Sequence, residues 1–214
     1  NNTIDMLTVV GAYPTWAISN HDSPRVASRL GTEEARALAL FLFGLPGSCY
    51  VYNGQELGLP DAELADSDRQ DPVFRRTNGE AKGRDGARVP MPWSGQESPF
   101  GFSSGKPWLP LPTNWNELTV EIQSSNSDSS LSLYKRALSE RAELLGANDF
   151  TWDNSKIDQG ILGFSRGGVE VYLNSGDKSV KLQASEIIIS SRGAPTCENG
   201  EVELMPQRAI WIKR

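Results

Sequence analysis

One histidine and two cysteines are all that this 214-residue chain offers of the side chains that most often bind transition metals or cross-link a fold. Cys49 and Cys197 are far apart and match no metal-binding or redox spacing. No metal site, disulfide framework or cofactor is therefore expected, although a bridge between the two stays open. Cys49 lies in an apolar run and reads as a buried thiol. Positive charge is also scarce: 21 Lys and Arg against 27 Asp and Glu leave a net −6 at pH 7. That balance argues against nucleic acid or an anionic membrane as the main partner. No apolar run approaches the ~18 residues that would span a bilayer. No positively charged, apolar leader opens the chain, so a cytoplasmic location is the expectation. There is no internal repeat and no low-complexity segment. Asn1, Asn2 and Thr3 have no initiator Met before them, which hints that the start is not a natural one.

The remaining composition, 38% hydrophobic and 22% charged, is that of a chain able to bury a core of one large domain or two small ones. Residues 3 to 12 look like the end of a helix entering a turn at Gly11. Trp16, Ala17 and Ile18 then form a short apolar run between Tyr13-Pro14 and Ser23-Pro24, the signature of a short buried strand. At its carboxyl end stand Asn20, His21 and Asp22. Polar residues at that end of a buried parallel strand are where α/β folds, and barrels above all, place their chemistry. A strand running out into a solvated turn would carry Asn and Asp as well.

The next thirty residues weigh against the plain turn. Thr32 is a good N-cap with Glu33 and Glu34 in the first turn behind it. The helix runs to Phe43, is apolar nearly all round towards its buried end, and stops at Gly44-Leu45-Pro46-Gly47. Cys49 to Tyr52 reads as a second buried strand, and it too ends in polar and glycine residues, Asn53 to Gly58. Strand, helix and strand within roughly thirty residues fit a βαβ unit with parallel strands. Two strands with polar tips on one edge are what a catalytic face produces.

Residues 59–116 show neither a helical nor an alternating period. They hold most of the prolines, the aromatic anchors Phe74, Trp93, Trp108 and Trp115, and two charge clusters, Asp66 to Asp71 with Arg75 and Arg76, and Lys82 to Arg88. A loop this long in a compact domain is usually functional or disordered, and the spaced aromatics argue against disorder. Surface salt bridging with aromatic packing over a barrel mouth accounts for most of these residues, but not for all of Arg84, Asp85 and Arg88. A helical pattern returns from Ser129 through Leu131, Leu133, Tyr134, Ala137, Leu138, Ala142 and Leu145, ending at Gly146. Short strands are then expected at 161–165, 169–173, 180–182, 186–190 and 208–213, forming a small antiparallel β domain of about 65 residues.

Several segments, in order, resemble the C-terminal portion of an α-glucosidase of glycoside hydrolase family 13, in its α-glucosidase and oligo-1,6-glucosidase branch. They are Ser19 to Asp22 with Pro24 to Arg29, Tyr52 to Gly58, Gly83 to Trp93, Trp108 to Pro112, and Leu133 to Leu138. The resemblance runs from about residue 5 to 173 and more loosely to the end. It implies an α/β fold, the C-terminal part of a (β/α)8 TIM barrel over 1–146 with a long active-site loop at 59–116. An antiparallel β-sandwich domain over 147–214 completes the chain. The resemblance also implies Asp22 as the transition-state-stabilising carboxylate that holds the sugar's 2- and 3-hydroxyls, and His21 and Arg84 as substrate-binding residues. Gln55 and Glu56 fall in a segment where packing is the role implied, and Asp85 and Arg88 read as loop braces.

A retaining glycosidase also needs a nucleophile and an acid/base carboxylate roughly 5 Å apart. In the family these lie on earlier strands, and neither motif is found here; the family's carboxylate partner of Arg84 is upstream too. The chain alone is therefore expected to be inactive, with an α-glucoside oligosaccharide as substrate of the whole and the rest of the barrel as its partner. An open parallel edge predicts aggregation or association with a complementary fragment. A sucrose isomerase or trehalose synthase type of transglycosylase is the sibling alternative. A non-catalytic interaction relative is the alternative of another class, and His21-Asp22 weighs against it.

Overall fold

The computed structural model describes residues 2–144 and 149–214. Its helices are α1 (Asn2–Val9), α2 (Val26–Leu30), α3 (Thr32–Gly44), α4 (Pro72–Arg76), α5 (Val120–Ser125) and α6 (Ser130–Leu144). Its strands are β1 (Thr15–Ala17), β2 (Ser48–Tyr50), β3 (Thr151–Asp153), β4 (Ile161–Arg166), β5 (Val169–Asn174), β6 (Val180–Gln183), β7 (Glu186–Ser190), β8 (Glu201–Leu204) and β9 (Arg208–Lys213). The chain divides into two compact units. One comprises Asn1–Trp16, Glu33–Tyr50 and Leu133–Arg214, the other Ala17–Thr32 and Val51–Ser132. The expected helix end at Leu145 and Gly146 and the expected boundary between 146 and 147 lie outside the described residues.

In the first unit, α3 is apolar nearly all round because the β domain takes one of its faces. Phe41 meets Phe164 of β4 edge-on with ring centroids 5.2 Å apart, and the Trp211 indole N–H of β9 donates to the Leu40 carbonyl at 3.0 Å. Antiparallel pairing builds a five-stranded sheet in the order β3-β4-β5-β9-β7, and β6 pairs with β8 in a second, two-stranded sheet. The register aligns Phe164 with Val171 and Val171 with Trp211, placing these three on one face. Side chains alternate across a strand, so Tyr172, Ile210 and Ile212 occupy the other face. There they form a core with Leu182, Val202 and Leu204 of the small sheet. β9 is thus buried on both faces from Ala209 to Ile212, which explains why its residues fail to alternate. The five expected runs are all strands; β3 and β8, of three and four residues, are additional.

The two strands expected to be buried are not. β1 and β2 each expose their first and last residues, and Tyr50 stands out in solvent. They pair only with each other among the described residues, so no third strand covers either outer edge. Cys49 is half-buried and Cys197 likewise, and both are free thiols.

The second unit contains the stretch without a sequence period, and 59–116 forms no strand, only α4 and short 3-10 helices. It nevertheless has its own core. Leu57, Leu59, Val89, Met91, Phe100, Leu109, Leu111, Trp115 and Leu131 pack together. Of the four expected aromatic anchors only Trp115 is deeply buried, whereas Trp93 is 47% and Trp108 65% exposed. Phe100 fills the centre instead; its carbonyl accepts the backbone N–H groups of Trp93 and Ser94 at 2.8 and 2.9 Å. No helix among the described residues is long and apolar enough to cross a membrane.

Candidate active site

The site lies wholly within the second unit. It begins where the chain leaves β1. The Ser19 hydroxyl accepts the Val26 N–H at 2.9 Å, tying this segment to the start of α2. Asn20 accepts the Asp22 N–H at 2.8 Å through its side-chain oxygen, an Asx turn of the ordinary kind. The Asn is therefore a turn former, and the turn it makes presents His21 and Asp22. Both are open to solvent, with side chains 66% and 52% exposed.

Asp22 is held asymmetrically. Its Oδ1 accepts Nη1 of Arg84 at 2.8 Å and Nη2 of Arg88 at 2.9 Å. Its Oδ2 faces Nε2 of His21 at 3.3 Å. Arg88 also donates from Nε to the His21 carbonyl at 2.9 Å, so it grips both the Asp22 carboxylate and the main chain of the residue before it. Loss of surrounding water pushes the Asp22 carboxyl up, but His21, Arg84 and Arg88 together outweigh it and hold the group below its usual range.

Behind this pair stands a residue the sequence did not single out. Asp71 accepts Nε of Arg84 at 2.6 Å and the Arg84 backbone N–H at 3.0 Å on Oδ2. Its Oδ1 takes Nη2 of Arg84 at 3.4 Å and caps α4 through the Val73 N–H at 3.1 Å. The Asp71 side chain is only 1% exposed. The Arg84 guanidinium, and next the Val73 N–H, hold its carboxyl well below the usual range, and Asp71 in turn raises Arg84. Among the described residues Arg84 thus has two carboxylate partners, Asp71 and Asp22. The one signal for Asp71 was Asp followed by Pro72, an N-cap with Pro at the first helical position.

Asp85 is a brace, as expected: fully buried, it accepts the Gln70 and Asp71 backbone N–H groups at 2.7 and 2.8 Å on Oδ2. Gly83 makes the approach possible. It sits at φ 74°, and a Cβ there would lie 2.7 Å from Asp71 Cβ. Arg88 is more than the expected brace, since it reaches Asp22 itself.

The polar tip after β2 is organised by Arg25, also missed in the sequence. Arg25 is buried and donates to the Asn53 carbonyl at 2.6 Å and the Ala87 carbonyl at 2.9 Å. Its guanidinium lies over the Tyr52 ring, 5.1 Å from the centroid. Gln55 is buried and Glu56 half-buried, and Glu56 keeps a buried oxygen without a hydrogen bond. Burial pushes the Glu56 carboxyl up. Among the described residues no three His, Cys, Asp or Glu side chains stand together as a metal site.

The second unit thus gathers a carboxylate, an imidazole and two guanidiniums at one exposed place. The chain belongs to the α-amylase catalytic-domain family, glycoside hydrolase family 13, whose model matches residues 2–146. It is 39% identical over 135 residues to a probable α-glucosidase of Rhizobium meliloti, covering 60% of this chain and 24% of that protein. It is 31% identical over 150 residues to an oligo-1,6-glucosidase of Parageobacillus thermoglucosidasius, covering 59% and 26%. Among solved structures it is similar to an α-glucosyl transfer enzyme with a TM-score of 0.76 and 30% identity, over 98% of this chain and 43% of that one. A trehalulose synthase shares the fold with a TM-score of 0.79 and 24% identity, over 100% and 46%. The fold class is the expected one, that of (β/α)8-barrel enzymes carrying an antiparallel β domain. The chain spans about a quarter of the length of the two curated relatives.

Proposed function

We propose that this chain is part of a retaining α-glucosidase that releases terminal α-linked glucose from maltose-type or isomaltose-type oligosaccharides. The observation that carries the reading is the clamp on Asp22. Two arginines fix one carboxylate oxygen and His21 flanks the other. An oxocarbenium-like transition state gains most from an anion held in place before charge develops, and from hydroxyl contacts that tighten as it does. Asp22 is that anion. His21 and Arg84 are hydrogen-bond donors to the glucose hydroxyls, and a guanidinium fork suits paired oxygens. The nucleophile and the acid/base carboxylate come from sequence outside these 214 residues, and the exposed side of His21 and Asp22 is where those walls stand.

The test compares two forms on p-nitrophenyl α-glucoside, maltose and isomaltose. A form extended upstream to include both further carboxylates should turn over, and Asp22→Asn should lower its kcat at least ~10³-fold with an unchanged melting curve. The 214-residue chain alone should give no turnover; robust hydrolysis by it would refute the division of labour. The 30% identity to an α-glucosyl transfer enzyme favours transglycosylation as the second reading. Transfer products from sucrose or maltose exceeding free glucose would establish it.

A further inference from the structure

Arg84 sits between two carboxylates, and they do not share it equally. Asp71 takes the Nε edge, reinforced by Nη2 and by the Arg84 main-chain N–H. Asp22 receives Nη1 alone. An arginine beside a single carboxylate commonly closes on it with two parallel N–H···O bonds. Closure on Asp22 would occupy both of its oxygens. We infer that Asp71 is a positioning residue that keeps Arg84 from closing on Asp22, so that Asp22 is anchored through Oδ1 and keeps Oδ2 for the sugar.

Asp71 is built for this. Its side chain is buried, its Oδ1 is engaged with α4, and its own main-chain N–H is pinned by the buried Asp85 carboxylate. Asp22 is half exposed, where water and salt weaken its pull on a cation. The competition for the guanidinium is therefore settled inside the loop, before substrate arrives. Arg88 then completes the arrangement by meeting the same oxygen, Oδ1, from its own side. A role confined to capping α4 would need only the Oδ1 contact with Val73; the Oδ2 contacts with Arg84 have no part in a cap.

The inference rests on the glycosidase reading for its catalytic consequence, but not for its geometry, and the experiment separates the two. In the active extended protein, Asp71→Asn keeps the shape and a capping oxygen but removes the charge. It should lower kcat about 30- to 100-fold with KM within about 3-fold. In an Arg84→Ala background the same substitution should change kcat by no more than about 2-fold, because the group it acts through is gone. An equal loss in both backgrounds would overturn the inference. The second arm reads the Arg84 Nε–H by NMR in the 214-residue chain. The resonance should exchange slowly in the native chain and in Asp22→Asn, and shift and exchange rapidly in Asp71→Asn; no change in the last would also overturn it. Should Asp71→Asn not fold, Asp71→Glu carries the test. The charge stays, the guanidinium is displaced, the Nε–H shifts and kcat falls about 10-fold, and an unchanged kcat would again overturn it. If the extended protein hydrolyses no α-glucoside, the functional reading falls and the NMR arm still decides the role of Asp71.

Discussion

Replacing Arg25 by Met measures how much the site depends on a cation that never touches it. Arg25 is buried, yet its N–H groups meet the carbonyls of Asn53 and Ala87, one in each of two loops that flank the site. Met keeps most of the stem's packing and removes the donors. Each hydrogen bond from a charged donor is worth about 1.5–3 kcal/mol, so the gross loss is two such bonds plus the contact with Tyr52. Against it stands the relief of a buried cation whose Nε has no partner, worth about 1–3 kcal/mol. The Ala87 carbonyl also keeps the Tyr52 hydroxyl at 2.9 Å. The net expectation is a destabilisation of about 2–4 kcal/mol. Urea titration of the 214-residue chain should show it in the transition of the second unit, and a two-transition fit is needed because the chain has two units. The charge leaves a second mark. Arg25 opposes the burial that raises Glu56, so Glu56 should titrate at still higher pH in the variant. A loss below about 0.5 kcal/mol, the size of an ordinary surface change, together with an unmoved Glu56, would refute the reasoning.

Other expectations rest on single contacts. A Cβ at Gly44 would lie 2.8 Å from Phe164 and 2.9 Å from Val171, so Gly44→Ala should cost about 1–3 kcal/mol by overpacking; an unchanged melting temperature would contradict the packing of α3 on the β domain. Asp71 has a folded-state carboxyl below its unfolded value of 3.8, so the unfolded chain takes up its proton first. Its contribution is complete above that pH and lost as pH falls below it. Asp71→Asn should flatten the acid limb of the stability curve, and parallel curves would count against the pairing with Arg84. Glu56 has the opposite sign: its raised carboxyl makes the folded chain hold the proton longer, so stability falls as pH rises from the unfolded value of 4.5. Glu56→Gln should remove that fall, and denaturation midpoints at pH 5 and 8 would read it.

Elements with a strong local signal are legible in the sequence. The acidic first turn of α3, its apolar body and its glycine stop lie within one continuous segment, and five of the six strands between Ile161 and Lys213 carry a local β signal of their own. β3 and β8 were not among the expected strands; their pairing is set by partners distant in sequence, Thr151 with Ser165 and Val202 with Leu182. Burial was harder than element type. Trp93 and Trp108 look like anchors by residue type, but Phe100 takes the core position, and nothing local tells the two outcomes apart. The strands at Trp16 and Cys49 are apolar enough to be buried, yet burial also requires neighbours. In the site, Asp22, His21 and Arg84 came from a family pattern. Asp71 and Arg25 act across sequence separations of 13 and 62 residues, Asp71 on Arg84 and Arg25 on Ala87. Only the fold brings such pairs together.

The order of burial along the carboxylates explains why a loop of 59–116 can hold a fixed arrangement of charges without strands. Asp85 is fully buried and spends one oxygen on main-chain N–H groups. Asp71, nearly as buried, holds Arg84 by side chain and main chain together. Arg84 is half exposed and reaches Asp22, the most exposed of the series. Ion pairs at a surface are worth little when both partners are free to move. Here each group is fixed by the one behind it, and the innermost is fixed by the backbone. The Leu57, Phe100 and Trp115 core keeps that backbone in place. Rigidity thus passes from apolar packing to main-chain hydrogen bonds, then to a buried ion pair, and only at the last step to the exposed carboxylate. A change in the core should therefore disturb Asp22 through Arg84 and Arg88, the two groups of the loop that meet it, rather than directly.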